Sequence, residues 1–420
     1  MKMKKIFFKT FGCRTNLYDT EVMKQNLKNF VVCNDEEDAD IIVVNSCTVT
    51  NSADGTVRGY INKISKKDKD IKILLGGCGA FSKGEELFKG EKVYGVFGHS
   101  EKENIEKLLK EDKKFYQIGD LDSLDSSIVE NFSDKTKAFI KIQEGCDFRC
   151  SYCIIPYVRG NARSQEEDKI IKQVEKLASN GFGEFVLTGT NIGSYGKDKG
   201  TNIAKLLKKI GTVRGVRRIR LGSLEPVQID EEFKEILDEP WLERHLHIAL
   251  QHTDEEMLKI MRRRNNFKKD LKLFEFLAEK DFALGTDFIV GHPGESEKRW
   301  QNALVNFKLF PLTHLHAFTY SKREATPSAL MKESVKGDEA KRRLKILTSI
   351  VKENNLDFRK KRKNMFLNIL IEEKKDKMFK GYDQYFNKVI LKSENKDIDK
   401  EWITITQYEI KKEYNYAEIQ

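Results

Sequence analysis

Residues 146–153 read Cys146-Asp147-Phe148-Arg149-Cys150-Ser151-Tyr152-Cys153, three thiols at intervals of four and three residues. An ordinary four-iron cluster takes four cysteines, so a compact run of three predicts a cluster with one iron free of protein ligands. An open iron binds a substrate or cofactor. Zinc is the competing reading, but zinc sites pair two Cys-x-x-Cys knuckles or combine Cys with His, and no His lies between residues 142 and 163.

Residues 138–143 read as a strand, which puts the triad on a loop just after a strand end. Further candidate strands at 184–188, 217–222, 245–250, 283–290 and 312–319 alternate with helical segments such as 166–179 and 295–307. Six βα units are too few for a closed eightfold barrel, so the pattern predicts a partial (β/α)6 barrel whose active face lies where strands end. The loops there are Leu187-Thr188-Gly189-Thr190-Asn191, Gly222-Ser223-Leu224-Glu225-Pro226, Ala249-Leu250-Gln251 and Val290-Gly291-His292-Pro293-Gly294-Glu295. Each combines small residues with a polar group suited to a nucleoside-amino acid cofactor; the competing reading is turn chemistry. His252 and His292 read as ordinary loop imidazoles.

Upstream, β-branched or aromatic runs at 6–10, 41–45, 71–76 and 93–97 alternate with polar stretches such as 50–67, predicting an open parallel sheet flanked by helices. Three of these strands end in a loop cysteine: Phe11-Gly12-Cys13, Asn45-Ser46-Cys47 and Gly76-Gly77-Cys78. Ligands collect at the carboxyl ends of such strands, so Cys13, Cys47 and Cys78 are candidates for a second metal-sulfur site. The alternative is a set of small buried residues. Cys33, which follows Val31 and Val32, is read that way.

At 420 residues the chain suits two or three domains, and 39% hydrophobic with 34% charged residues describes a globular protein. The start, Met1-Lys2-Met3-Lys4-Lys5-Ile6-Phe7-Phe8, is too short an apolar run for a signal peptide and reads as a first strand. No stretch is long and apolar enough to cross a membrane, and seven Cys then suggest metal or redox chemistry; a cytoplasmic location is expected. The net charge of +10 is patchy: Arg214, Arg217, Arg218 and Arg220 form one cluster, Arg262, Arg263 and Arg264 another, and residues 332–363 carry twelve basic against five acidic residues. Phosphate backbones are the commonest partner of such patches.

Residues 337–363 have an amphipathic helical pattern, with Leu344, Leu347 and Val351 on one face. Beyond them, 366–371, 388–391 and 402–405 read as strands of a small β domain, with one more acid than base over 364–420. Phe379, Tyr382, Tyr385 and Phe386 are candidates to stack bases, or core residues of a small barrel. Much of the attraction for RNA is therefore assigned to the helix and the Arg clusters.

Cys-x-x-x-Cys-x-x-Cys with an aromatic before the last Cys, followed by Ile154-Ile155-Pro156-Tyr157-Val158-Arg159-Gly160, closely resembles the methylthiotransferase subgroup of radical S-adenosylmethionine (SAM) proteins, over nearly the whole chain. The resemblance implies two 4Fe-4S clusters: a radical cluster on Cys146, Cys150 and Cys153, and an auxiliary cluster on Cys13, Cys47 and Cys78. It implies a SAM pocket drawing on Tyr152, Ile155, Gly189, Asn191, Ser223, Glu225, Gln251 and Gly291. The expected domains are 1–118 with the auxiliary cluster, 134–330 as the partial barrel, 331–363 as a basic linker helix, and 364–420 as an RNA-binding TRAM-like β barrel. Ser46-Cys47-Thr48-Val49-Thr50-Asn51, the run from Leu187 to Gly196, and Tyr320-Ser321-Lys322-Arg323-Glu324-Ala325-Thr326-Pro327 look most like the branch acting on threonylcarbamoyladenosine in tRNA. That branch implies the tRNA anticodon stem-loop as substrate, rather than DNA, and an electron donor. Related possibilities are isopentenyladenosine in tRNA or a ribosomal protein; a non-catalytic iron-sulfur RNA-binding protein is the alternative of another class. The chain departs from the family at Leu250-Gln251-His252-Thr253, commonly Leu-Gln-Ser-Gly, and at Gly291-His292-Pro293-Gly294, commonly Gly-Phe-Pro-Gly.

Overall fold

A computed structural model describes residues 3–67, 71–132, 135–332 and 335–419. The expected boundary at 134 and the first two residues lie outside that set. The first sheet is wholly parallel: β1 (Lys5–Thr10), β2 (Val31–Val32), β3 (Ile41–Ser46), β4 (Lys72–Gly77), β5 (Gly95–Phe97) and β6 (Phe115–Gln117), in spatial order β2-β1-β3-β4-β5-β6. β3 is buried along its whole length, as its Ile-Ile-Val-Val run requires of a strand covered on both faces. The short edge strand β6 escaped the sequence reading, and the apolar strand read at Val31-Val32 is present as β2 but exposed. Cys33 is correspondingly not a core residue: it is half-buried beyond an exposed edge strand, its thiol donating to Asp35 O at 3.3 Å.

The central strands are β7 (Ala138–Glu144), the antiparallel edge β8 (Arg163–Ser164), β9 (Glu184–Gly189), β10 (Arg218–Leu221), β11 (His245–His247), β12 (Ala283–Val290) and β13 (Leu312–Thr319). β7, β9 and β10 pair in parallel, as do β11, β12 and β13. Parallel bridges Ile219–Leu242 and Leu224–Ile248 connect the two groups. Six parallel strands in sequence order thus form the open barrel, and its core runs from Val174 and Phe185 through Leu246 and Phe288 to Trp300.

The helix Gly337–Lys361 buries Leu347 and Val351 and leads into β14 (Leu367–Lys375), β15 (Met378–Tyr382), β16 (Lys388–Ser393), β17 (Trp402–Ile405), β18 (Glu409–Ile410) and β19 (Asn415–Ile419). This sheet curls around Ile369, Ile371, Phe379 and Leu391, antiparallel except where β16 meets β19. Of the four aromatics considered for stacking, Phe379 is core and Tyr385 is buried, its hydroxyl donating to Asp281 Oδ2 at 2.6 Å. Tyr382 stacks on Phe386, which in turn stacks on His245 of β11, so this corner closes one end of the barrel.

The same contact corrects the reading of the Arg clusters. Arg218 and Arg220 are buried; Arg220 Nε donates to Glu184 at 2.6 Å and its Nη2 to Asp383 O at 2.8 Å, while Arg218 Nη2 reaches Asn368 O at 2.5 Å. Arg217 covers the ring of Trp402 at 4.4 Å. Arg218 and Arg220 thus join the barrel to the C-terminal sheet instead of facing a phosphate backbone, whereas Arg214 and Arg217 of the same cluster are exposed. Charge counted along the sequence could not reveal their partners.

Candidate active site between two cysteine triads

β1, β3 and β4 are neighbours in register, with Thr10 opposite Asn45 and Asn45 opposite Gly76. Cys13, Cys47 and Cys78 follow these three strands, and β1 and β3 flank the point where the strand order reverses, the usual ligand crevice of an open α/β sheet. Gly12 has φ +102°, and a Cβ there would stand 2.6 Å from Cys47 Cβ and 3.0 Å from its Sγ. Glycine thus lets the Cys13 loop lie against Cys47. Burial raises the Cys47 thiol and pushes Cys78 up to about 12, so the free thiols resist ionisation and a bound cation would be needed to hold them as thiolates.

The second triad lies between β7 and the short helix Ile155–Arg159. Gly145, at φ +72°, lets the loop turn back: a Cβ there would stand 1.8 Å from Asn161 O. Cys146 N donates to Gly160 O at 3.0 Å, and Cys153 N to Cys150 O at 3.1 Å. Asn191 Nδ2 donates toward Cys146 Sγ at 3.6 Å and Arg263 Nη1 toward Cys150 Sγ at 3.7 Å. Burial raises Cys146 and pushes Cys153 up to about 12. Among the described residues, no three thiols have their sulfurs all within 4.8 Å of one another. Three thiolates on one zinc at about 2.3 Å would have to lie within about 4.6 Å of one another. Neither triad is drawn in around a single ion, and by the chemistry of its donor set each suits an iron-sulfur cluster with one iron open.

A cavity of about 250 Å³ opens against Tyr152, Cys153 and Ile155 on one side, Gln251 and Asp287 on another, and Thr50 from the loop after Cys47. Gln251 is held at φ +64° by its paired neighbours: its N donates to Asp287 O and its O accepts from Ile289 N, both at 2.9 Å. A left-handed non-glycine residue costs roughly 1–3 kcal/mol and persists where its surroundings fix it. Ser223 Oγ donates to Asp287 Oδ2 at 3.3 Å. Glu225 forms a fork with buried Arg263. Of the other residues expected around SAM, Asn191 reaches Cys146 as above, and Gly189 ends β9 against Gln143 O. Gly291 lies instead against Ala340 of the long helix, where a Cβ would stand 2.9 Å from Ala340 Cβ.

Sequence reasoning missed the side chains joining the two triads. Arg159, six residues after Cys153, donates from Nε to Cys78 Sγ at 3.1 Å and from Nη2 to Asn16 at 2.7 Å and Asp19 at 3.0 Å, and pairs with Glu144. Lys102, Asp125 and Lys141 complete this buried network. Burial pushes Asp19 and Glu144 up, but Lys102, Lys141 and Arg159 outweigh it and hold both carboxyls below their usual range. Arg323 makes a second connection, donating to Thr48 Oγ1 and Asn51 Oδ1, both at 2.9 Å, and to Asp54 Oδ2 at 2.7 Å. His252 and His292, read as loop imidazoles, are buried: His292 Nε2 lies 2.8 Å from Ser328 Oγ, itself 2.8 Å from Ser151 Oγ in the triad loop.

A partial parallel barrel with a three-thiol loop after its first strand defines a radical SAM protein, and residues 140–305 match the radical SAM superfamily. Residues 5–98 match the family described as "Uncharacterized protein family UPF0004". A Helicobacter pylori protein provisionally named a methylthiotransferase is 52% identical over 99% of this chain and 100% of its own. The threonylcarbamoyladenosine tRNA methylthiotransferase MtaB of Aquifex aeolicus is 33% identical over 90% of this chain and 95% of its own. In fold, the chain is similar to the radical SAM methyltransferase TsrM from Kitasatospora setae, with a TM-score of 0.61 and 16% identity over 78% and 77% of the two chains. The chain belongs to the radical SAM methylthiotransferase family, and that family implies a 4Fe-4S cluster and SAM. Among the described residues, no helix is long and apolar enough to cross a membrane.

Proposed function

We propose that the protein is a cytoplasmic tRNA methylthiotransferase that converts N6-threonylcarbamoyladenosine beside the anticodon to its 2-methylthio derivative. The observation that carries this reading is the cavity lined by Cys153 and, from the loop after Cys47, by Val49 and Thr50. One set of thiols alone fits many radical reactions; a second set carried by a loop that borders the same cavity fits delivery of sulfur.

In this reading Cys146, Cys150 and Cys153 hold the radical cluster and Cys13, Cys47 and Cys78 a second 4Fe-4S cluster. When bound, the radical cluster and SAM supply a deoxyadenosyl radical after one-electron reduction, the electron coming from a separate donor. The chain's own part is positional. Asn191 and Arg263 direct N–H groups at the sulfurs of Cys146 and Cys150. Tyr152, Ile155 and Gln251 shape the cavity and displace water from it, while Arg323 holds the loop after Cys47 against the barrel. Residues 1–118, 134–330, 331–363 and 364–420 act as auxiliary-cluster domain, barrel, linker helix and TRAM-like module, the last two helping to hold the anticodon stem-loop.

Nucleoside mass spectrometry of tRNA from a deletion strain tests the substrate. The 2-methylthio derivative of threonylcarbamoyladenosine should disappear and return on complementation; its persistence while another modification is lost would refute the substrate. Reconstituted protein that binds tRNA but never forms 5′-deoxyadenosine from SAM under reduction would favour the non-catalytic alternative.

A further inference from the structure

Four of the protein's seven histidines lie in two His-Leu-His runs, His245-Leu246-His247 in β11 and His314-Leu315-His316 in β13, on either side of β12. Alternate residues of a strand share a face, so each run directs both imidazoles to one side. The register aligns the runs: His247 is opposite Gly285, Gly285 opposite His314, and Asp287 opposite His316. Gly285 clears the space, since a Cβ there would stand 2.7 Å from His247 Nδ1.

We propose that His247, Asp287 and His316 bind a divalent transition-metal ion of the zinc type. One donor atom from each of the three lies within 4.8 Å of the other two. His247 Nε2 is 3.1 Å from Asp287 Oδ1, and His316 Nδ1 is 3.7 Å from the same oxygen. Bonds of about 2.0–2.2 Å to one ion would place adjacent ligand atoms about 3.0–3.5 Å apart, close to both distances.

A hydrogen-bonded His–Asp pair is the competing reading of the 3.1 Å contact. The third member decides between them: His316 brings a second imidazole nitrogen to the same carboxylate oxygen, which a simple His–Asp pair does not need. Ser223 Oγ donates to Oδ2, the other carboxylate oxygen, which orients the carboxylate with Oδ1 toward the imidazoles. Two imidazoles and one carboxylate suit zinc and iron(II) better than magnesium or calcium.

Three protein ligands leave a coordination position free, and the Asp287 side of the site lines the cavity that also touches Cys153. That position would take water, or an oxygen or nitrogen of a molecule in the cavity. The metal site depends only on the barrel strands, so it stands whichever modified base is the substrate.

The test uses the full-length protein with its clusters reconstituted anaerobically, titrated with zinc chloride by calorimetry and examined by zinc X-ray absorption. One zinc per chain is expected, with only nitrogen and oxygen in its first shell. Affinity should fall by at least about tenfold in H316A, with iron and sulfide content unchanged. His316 is exposed, so this variant should fold; D287N provides a second reading. Absence of saturable binding, sulfur in the zinc shell, or unchanged affinity in both variants would overturn the proposal.

Discussion

Arg159 Nε donates to Cys78 Sγ at 3.1 Å across 81 residues of chain, and the same guanidinium reaches Asp19 and Glu144. One side chain from the short helix after Cys153 thus touches a thiol of the other set and closes a buried ionic network between them.

Removing that cation leaves Lys102 and Lys141 to balance the buried carboxylates of Asp19, Glu144 and Asp125. R159Q should lower stability by about 3–5 kcal/mol, read from urea unfolding of the anaerobic protein. Because residues in one network couple, E144Q added to R159Q should restore part of the loss. A double variant whose losses simply add would show that Arg159 and Glu144 act independently.

Gly12 is the tightest point of the Cys13 loop. G12A would push Cys47 aside and strain a left-handed backbone. Iron and sulfide should fall from two clusters' worth to about one, while the Cys146 triad keeps its cluster. Full loading of G12A would show that the loop tolerates the displacement.

His292 carries a pH signature. Burial lowers its pKa from the usual value to about 4, so the folded state resists protonation while the unfolded chain accepts it. Stability conferred by the neutral ring is complete above the unfolded pKa of about 6.5 and is lost as pH falls toward the folded value. From about pH 7 to about pH 5 the loss is about 2 kcal/mol. H292F, which carries the residue common in the family, should lack that increment in urea midpoints; an identical pH dependence would exclude His292 as the source.

The corrected view of the basic residues separates two kinds of variant. Lys341 and Lys345 are exposed on the helix Gly337–Lys361, and replacing each by Gln should reduce the salt dependence of tRNA affinity by about one counterion. R218Q should leave that salt slope unchanged and weaken docking of the C-terminal sheet, seen as earlier proteolysis within residues 367–419. A reduced salt slope in R218Q would return Arg218 to the RNA surface.

The barrel was legible because candidate strands alternate with helical segments along the sequence, and at residues 283–290 and 312–319 the strands occupy the same residues that were read. The grouping of Cys13, Cys47 and Cys78 just beyond the ends of β1, β3 and β4 was legible because each cysteine closely follows an apolar strand, although Cys78 opens the helix Cys78–Lys89 and is not the loop residue expected. The pairings were not. Arg220 looked like a surface cation because Glu184 and Glu243 lie 36 and 23 residues away, and no local pattern links them. Each His-Leu-His run looked unremarkable alone, since only the register through Gly285 and Asp287 brings the two together. Two-residue β2 has too little length to show periodicity, and Cys33 was placed in the core on the strength of its apolar neighbours.

The order β2-β1-β3-β4 has a consequence for how the chain can vary. Neighbouring strands sit about 4.8 Å apart whatever their connections. The backbone ladder therefore acts as the ruler for Cys13, Cys47 and Cys78, and the lengths of the intervening segments do not enter the measurement. Insertions within the helices Arg14–Gln25 or Asn51–Lys67 would lengthen the path between thiols without moving their anchor points. A slip of one residue in the pairing of β1 with β3 would displace a thiol while leaving the sequence intact.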